Sequence, residues 1–122
     1  MLIENFYTTI DIIEDETNVH FRIDLNEDHE VYKGHFEEQP VVPGVIQLQI
    51  LKEVLENYLS KDLFMGNVIQ VKYLVPIIPQ SSPQLDLHIQ KILVEGTKVN
   101  TNATIGVGDQ IFTKAKVGFD IQ

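Results

Sequence analysis

Hydrophobic and polar positions alternate along most of this chain, and the pattern predicts six β-strands. Residues 19–25 alternate strictly, with Val19, Phe21, Ile23 and Leu25 on one apolar face. Residues 6–13 are rich in β-branched and aromatic side chains, which also favours a strand. Four further segments follow the same logic, at about 67–75, 84–94, 97–106 and 110–120. The last two are joined by a Gly-rich turn at 106–109, which is typical of a hairpin.

Between the second and third strands the apolar spacing changes from two residues to that of a helix, which we predict from about Val45 to Leu59. Polar residues share one side of this helix, namely Gln49, Lys52, Glu53, Glu56 and Ser60. Gln47 instead points into the apolar side, where it needs a hydrogen-bond partner: it is a structural amide or a residue that supports a site. A helix this apolar must be covered by other structure. We therefore predict an α+β fold, one domain over residues 1–122, with an antiparallel sheet curved around a central helix.

Charge and composition narrow the function classes. The 122-residue chain carries a net charge of −9, and residues 1–38 account for all of it, with eleven acidic against two basic residues. Such a field argues against nucleic acid or an anionic membrane as the main partner. The absence of cysteine excludes thiol redox chemistry and thiolate metal sites. No apolar run approaches the length of a membrane span and no signal-peptide pattern is present, so we expect a cytoplasmic protein.

The segment 26–44 is irregular and holds the densest group of special residues. Its end reads GHFEEQPVVPGV over residues 34–45, so that His35 precedes a loop stiffened by Pro40 and Pro43. The following helix start offers unpaired backbone N–H groups, which suit a carbonyl oxygen that becomes negative during a reaction. A base beside such a site is a geometry for proton abstraction. From the residues alone, His35 is either this base or a structural histidine.

This segment resembles the signature of the β-hydroxyacyl-acyl-carrier-protein dehydratase family, which has Gly-His-Phe-Pro, then Pro-Val-x-Pro-Gly-Val, then an acidic residue fourteen positions after the histidine. Residues 72–79, KYLVPIIP, resemble that family's Lys-Phe-x-x-Pro-Val-x-Pro segment. The resemblance implies the hot-dog fold and assembly into dimers. It also implies sites at the dimer interface, with the histidine and the acidic residue contributed by different subunits.

The same resemblance implies roles for individual residues. His35 matches the base, and the backbone N–H at Gly44 matches the group that holds the thioester oxygen; Phe36, Pro43 and Val45 are the further expected substrate-binding residues. Gln49 stands where the family has Glu or Asp. An amide can hydrogen-bond to a leaving hydroxyl but cannot protonate it. Either His35 performs both proton transfers, another residue supplies the acid, or the chain binds acyl groups with little or no catalysis.

Other residues refine the prediction. Glu37 replaces the family's proline and, if its side chain approaches His35, its charge raises the pKa of that histidine. His20, His29 and His88 show no spacing typical of metal ligands, so we predict neither a metal nor a cofactor.

The resulting hypothesis is a dehydratase that converts (3R)-hydroxyacyl thioesters to 2-enoyl thioesters in fatty-acid biosynthesis or related lipid or polyene synthesis. The alternatives are an inactive partner subunit and a hot-dog thioesterase; the latter is disfavoured because the helix lacks the carboxylate such enzymes usually place there. Expected partners are an acyl carrier protein or a CoA thioester, and a second copy in a homodimer or higher oligomer, or an acid-bearing homologue in a heteromer. Because acyl carrier proteins are acidic, docking requires a local basic patch, for which the candidates are Lys72, Lys91, Lys98, Lys114 and Lys116.

Overall fold

A computed structural model of the chain describes residues 5–16, 18–32 and 40–122. Within these ranges the chain forms six strands, one α-helix and a short 3₁₀ turn at Glu30–Tyr32. In chain order the elements are β1 (Tyr7–Asp15), β2 (Asn18–Leu25), α1 (Gly44–Leu59), β3 (Leu63–Tyr73), β4 (Gln84–Glu95), β5 (Lys98–Val107) and β6 (Gln110–Ile121). None of the helical segments in the described ranges is long and apolar enough to cross a membrane.

The strands form one curved antiparallel sheet in the order β1-β2-β4-β5-β6-β3. β4, β5 and β6 are a meander joined by tight turns, in which Gly96 and Gly108 have φ of 61° and 58°. These positive φ values favour glycine because it has no Cβ to clash with the backbone. β3 leaves its place in chain order and pairs with β6, so β1 and β3 are the two edges.

The core lies between α1 and the inner face of the sheet. Along β2 the residues Val19, Phe21, Ile23 and Leu25 are buried, as their alternation predicts. The helix contributes its own buried apolar residues to the same cluster, which are Ile46, Ile50, Leu51, Val54 and Leu55. Removal of this apolar surface from water is the main force that holds helix and sheet together. The predicted α+β arrangement, a curved antiparallel sheet with one helix, is confirmed.

β3 begins four residues earlier than its periodicity predicts. The register with β6 shifts between Met65 and Asn67 and again between Val68 and Gln70. Each extra residue moves the following side chains to the opposite face, so strict alternation is lost over the first half of the strand. The periodic pattern returns only near Val71, where β3 again pairs residue by residue with β6.

Candidate functional site

The two segments that carry the family resemblance meet at the start of α1. The backbone N–H of Val42 donates to the carbonyl oxygen of Ile77 at 2.9 Å, and both side chains are buried. The ring of Tyr73 lies against the Cα of Gly44, since a Cβ added there would be 2.6 Å from Tyr73 Cζ. Any larger residue at position 44 would therefore force the Tyr73 ring to shift. Two segments some thirty residues apart in sequence thus fix one helix terminus.

The first turn of α1 presents backbone donors rather than a side-chain cap. Pro43 occupies the N-cap position, and among the described residues no side chain forms a capping hydrogen bond there. The carbonyl oxygen of Pro43 accepts hydrogen bonds from the N–H groups of Ile46 and Gln47, each at 3.1 Å. The N–H groups of Gly44 and Val45 precede these and have no acceptor within the helix. Val45 is 77% exposed, so this turn can receive an oxygen atom from outside.

Tyr73 adds a phenol beside this turn. Its side chain is about half exposed, and its partial burial raises the pKa of the phenol. The hydroxyl is therefore neutral at physiological pH and can donate a hydrogen bond. The family segment has phenylalanine at the matching position, which has no hydroxyl group. The Tyr73 hydroxyl is therefore a difference from the family pattern that the sequence analysis did not single out.

Gln47 is a structural amide. It is 4% exposed, its Nε2 donates to the carbonyl oxygen of Val42 at 3.1 Å, and its Oε1 accepts from the Thr113 hydroxyl at 2.5 Å. The side chain thus ties the segment before α1 to strand β6 through the helix. The sequence leaves two alternatives open for Gln47, a structural amide and a residue that supports a site. The hydrogen bonds favour the structural amide, because both partners belong to the scaffold.

Gln49 lies one turn before a buried carboxylate. Its Nε2 donates to Glu53 Oε2 at 2.9 Å, and the Tyr7 hydroxyl donates to Glu53 Oε1 at 3.0 Å. Glu53 shares the predicted polar side of the helix with Gln49, but it is only 7% exposed, a burial that the sequence does not predict. Burial of the Tyr7 phenol, reinforced by the adjacent charge of Glu53, raises the pKa of Tyr7 well above its ordinary value.

The structure unites some of the predicted site residues and does not describe others. Pro43, Gly44 and Val45 lie in one turn, and Gln49 follows on the same helix. His35 and Phe36, together with Glu37, lie outside the described residues. Their roles remain predictions.

Sequence reasoning missed several residues around this helix. The spacing of four residues between Gln49 and Glu53 is a signal for a helical pair, and it could have been used. No sequence signal marks Tyr7 or Thr113 as partners of helix residues, because those contacts depend on how the strands pack against α1.

The remaining histidines belong to ordinary surface and turn contacts. His20 Nε2 lies 3.3 Å from Asp86 Oδ1, and the rings of His20 and His88 are 5.9 Å apart. His29 Nδ1 accepts the backbone N–H of Val31 at 3.0 Å. Across the described side chains, no group of three or more His, Asp or Glu residues could hold a metal ion.

A basic cleft lies on the outer face of the sheet. Lys72 of β3 is directly opposite Lys114 of β6, and Lys116 follows two residues later on the same face. The cleft has a volume of about 390 Å³, and no acidic residue of the described chain lines it. Two of the five predicted docking lysines lie elsewhere: Lys98 forms an ion pair with Asp120, and Lys91 is on β4, outside the lining. We call the surface formed by Lys72, Lys114 and Lys116 the lysine cleft.

Sequence relatives identify the family. The family profile described as ApeI-like, ApeI dehydratase, matches residues 11–106. The 3-hydroxyacyl-[acyl-carrier-protein] dehydratase FabZ of Lactococcus lactis subsp. lactis is 33% identical to the chain over 117 residues, which span 90% of this chain and 78% of that protein.

Solved structures agree on the fold. The dehydratase heterocomplex ApeI:P from Xenorhabdus doucetiae matches with a TM-score of 0.73 at 19% identity, over 93% of this chain and 96% of the matched chain. A mutant thioesterase from Pseudomonas aeruginosa matches with a TM-score of 0.64 at 10% identity, over 94% of this chain and 80% of its own. These likenesses show the hot-dog fold, as the resemblance implies. The chain therefore belongs to the 3-hydroxyacyl-[acyl-carrier-protein] dehydratase family, as an ApeI-like member.

Proposed function

We propose that this protein removes water from (3R)-hydroxyacyl thioesters carried by an acyl carrier protein and releases the 2-enoyl thioester. The observation that carries the proposal is the first turn of α1, where Pro43 provides no side-chain cap and where Val42, Ile77 and Tyr73 of the two family segments meet. A thioester oxygen bound by the N–H groups of Gly44 and Val45 gains negative charge when the α-proton leaves. Fixed donors at that position stabilise the charge without reorganisation.

The other proposed roles come from the family resemblance. His35 removes the α-proton, and Phe36 and Pro43 line the approach of the acyl chain. The Tyr73 hydroxyl, which lies beside Gly44, is available as a further donor near the thioester. Gln49 meets the β-hydroxyl group of a substrate bound in the partner subunit of a dimer. The proposed pathway is fatty-acid biosynthesis or a related lipid or polyene synthesis, in the cytoplasm.

Turnover of a defined substrate tests the proposal. The purified protein is incubated with a (3R)-hydroxyacyl-carrier protein, and the enoyl product is followed by mass spectrometry. We expect turnover that falls by about 10²- to 10⁴-fold in His35→Ala, because a general base contributes on that order. His29→Ala serves as the histidine control and is expected to keep activity. Turnover in the wild type no higher than in His35→Ala contradicts the proposal.

A second candidate is a partner subunit that binds acyl chains within a heteromer and has little activity alone. Gln49 in place of a carboxyl group favours it, and the solved ApeI:P structure, a dehydratase heterocomplex of the same fold, supports it. Mixing the protein with an acid-bearing homologue separates the two candidates. The heteromer is favoured if the mixture is more active than the sum of the two separate proteins. The same activity should be lost when this chain carries His35→Ala.

The thioesterase alternative has one supporting observation that the sequence did not provide. Glu53, which the sequence places on the polar side of the central helix, is a buried carboxylate in the structure, and a thioesterase shares the fold. Release of free thiol from acyl-CoA or from the acyl carrier protein measures this activity. Thiol release without enoyl product supports a thioesterase in place of a dehydratase.

The lysine cleft supports an acidic carrier protein as the partner. Like charges directly opposite on neighbouring strands are destabilising, so the Lys72–Lys114 pair lowers stability unless an anion binds there. The protein as a whole is acidic and repels such a carrier at long range, so a local basic surface is needed for docking.

Charge reversal tests the docking surface. We expect Lys72→Glu and Lys114→Glu to lower kcat/KM for a carrier-bound substrate by about tenfold each, an effect that salt weakens. Both variants should use a small thioester mimic as well as the wild type does. Lys91→Glu is the control for a charge reversal elsewhere, because Lys91 lies on β4 and outside the cleft. Equal losses with both substrates contradict docking at this surface.

A further inference from the structure

We propose that the lysine cleft is a binding site for an organic phosphate, a small molecule with a phosphate group at one end and uncharged hydrogen-bonding groups at the other. The phosphate lies among Lys72, Lys114 and Lys116, and the uncharged part extends over β5 and β4 toward Asn102 and Gln90. The inference goes beyond the proposed dehydratase function, because the cleft is separate from the start of α1.

The alternation of side chains places the cleft on the outer face of the sheet. Thr113 and Ala115 are buried on the inner face, so Lys114 between them points outward, where it is exposed. Tyr73 lies against the start of α1, so the preceding Lys72 also points outward. The sheet itself therefore separates a ligand in the cleft from the helix.

The three lysines form a cationic group without a counter-charge. Lys72 and Lys114 are directly opposite, which brings their Cβ atoms to about 5 Å, and Lys116 is the diagonal neighbour of Lys72. None of the three forms an ion pair with a described residue, whereas Lys98 of β5 pairs with Asp120. A phosphate group carries close to two negative charges and has several acceptor oxygens, so it suits three convergent ammonium groups.

The lining changes from charged to uncharged along the cleft. On β5, Thr104 is opposite Lys114 and Asn102 is opposite Lys116. On β4, Gln90 is in turn opposite Asn102. These three uncharged side chains are half-buried, and their hydroxyl and amide groups both donate and accept hydrogen bonds. One end of the cleft thus suits an anion and the other end suits a neutral polar group.

The size of the cleft favours an organic molecule over an inorganic ion. Its volume of about 390 Å³ lies within the range of small-molecule sites. Its lining comes from four neighbouring strands, which together span about 14 Å. The exposed side chain of Ile111 adds an apolar contact. A phosphate ion alone would leave most of this space and most of these groups unused, so the ligand class is a monophosphate of nucleotide size.

Isothermal titration calorimetry at fixed ionic strength tests the site, with adenosine 5′-monophosphate as the probe. We expect the probe to bind the wild type, inorganic phosphate to bind at least tenfold more weakly, and adenosine to bind more weakly still. Lys72→Gln and Lys114→Gln should each lower the affinity for the probe by about tenfold, because each removes one charge-assisted contact. Lys91→Gln is the control, since Lys91 lies on β4 outside the lining, and it should keep the wild-type affinity.

A substitution at the uncharged end tests the orientation of the ligand. We expect Asn102→Ala to lower the affinity for adenosine 5′-monophosphate by about fivefold, as for the loss of one neutral hydrogen bond. The same variant should bind inorganic phosphate as the wild type does, whereas Lys114→Gln should bind both ligands more weakly. An equal loss of both ligands in Asn102→Ala contradicts the orientation.

Three results would overturn the proposal. The first is no binding of adenosine 5′-monophosphate to the wild type at millimolar concentration. The second is equal affinity in the wild type and in Lys114→Gln, with thermal unfolding showing that both are folded. The third is adenosine binding as tightly as its monophosphate, which would show that the phosphate group makes no contribution.

A competition experiment keeps this inference apart from the proposed function, on which the competition itself rests. A ligand in the cleft should inhibit turnover of a carrier-bound substrate and leave turnover of a small thioester mimic unchanged. Binding without this competition supports the phosphate site and contradicts docking of the carrier at the cleft. Calorimetric binding by a protein that shows no turnover supports the phosphate site while the dehydratase proposal fails.

Discussion

Two glutamines two positions apart on α1 have different environments because of the faces they occupy. Gln47 is enclosed between the helix and β6, where both ends of its amide are bound by scaffold groups. Gln49 is partly exposed and is bound to Glu53 on the side of strand β1. An amide suits both positions because it carries a donor and an acceptor on one planar group. The residue type is the same, but one holds the fold and the other faces the proposed chemistry.

At this scale we predict that Gln47→Leu destabilises the fold by about 1–3 kcal/mol, because it leaves buried polar partners unsatisfied. Thr113→Val removes one of those partners, so the double variant should be less destabilised than the sum of the single ones. Urea unfolding with a double-mutant cycle measures the difference. Additive effects would show that the Gln47–Thr113 hydrogen bond contributes little.

At the scale of elements, β2 and β4 are joined by a polar pair on their exposed face. Arg22 Nε donates to Asp86 Oδ1 at 3.0 Å, and the two residues are directly opposite in the register. Partial burial alone would raise the pKa of Asp86, but the hydrogen bonds and charges of Arg22 and His20 outweigh it and hold the pKa below its usual value. The pair thus links two strands only while the carboxyl group is ionised.

The sign of this shift gives a pH dependence. A lowered pKa in the folded state adds stability above the ordinary Asp pKa of about 3.9, and the contribution is lost as the pH falls through the folded value. We expect Asp86→Asn to be less stable than the wild type at neutral pH, with the difference vanishing in acid. Urea midpoints as a function of pH measure this. Asp24→Asn, on β2 and without an ion pair to any described residue, should show no such trend.

At the scale of the molecule, the two sheet edges differ in charge. β1 carries four acidic residues, counting the adjoining Glu16, whereas β3 carries none, and both strands expose apolar side chains. Charge on an edge strand discourages pairing with another chain, and its absence permits it. We therefore expect the predicted homodimer to form through β3, which would also bring two helix starts toward a shared interface.

Matched substitutions on the two edges test this assembly. Ile69→Glu on β3 should give a monomer, since Ile69 is 53% exposed and the register of β3 with β6 shifts around it. Ile12→Glu on β1, where the isoleucine is 49% exposed, should leave the dimer intact. Size-exclusion chromatography with light scattering reports the mass of each variant. A dimer that survives Ile69→Glu and dissociates with Ile12→Glu would assign the interface to the other edge.

How much the sequence could predict depends on whether one element or several determine a feature. The strands, the helix and the burial of Gln47 could be predicted from hydrophobic periodicity, because that pattern lies within the sequence of each single element. The early start of β3 does not, because bulges disrupt its alternation. The burial of Glu53 does not either, because a helical projection shows which side is polar but not that Tyr7 of β1 covers it.

The pairing of β3 with β6 has a consequence for the order of events in folding. β4, β5 and β6 can form from neighbouring segments, whereas β3 must wait for β6 and then close a loop of about forty residues. Until that step, both edges of β3 are unpaired and its apolar side chains are open to other chains. Refolding at high protein concentration should therefore lose material through premature contacts between β3 strands, and dilution should improve the yield.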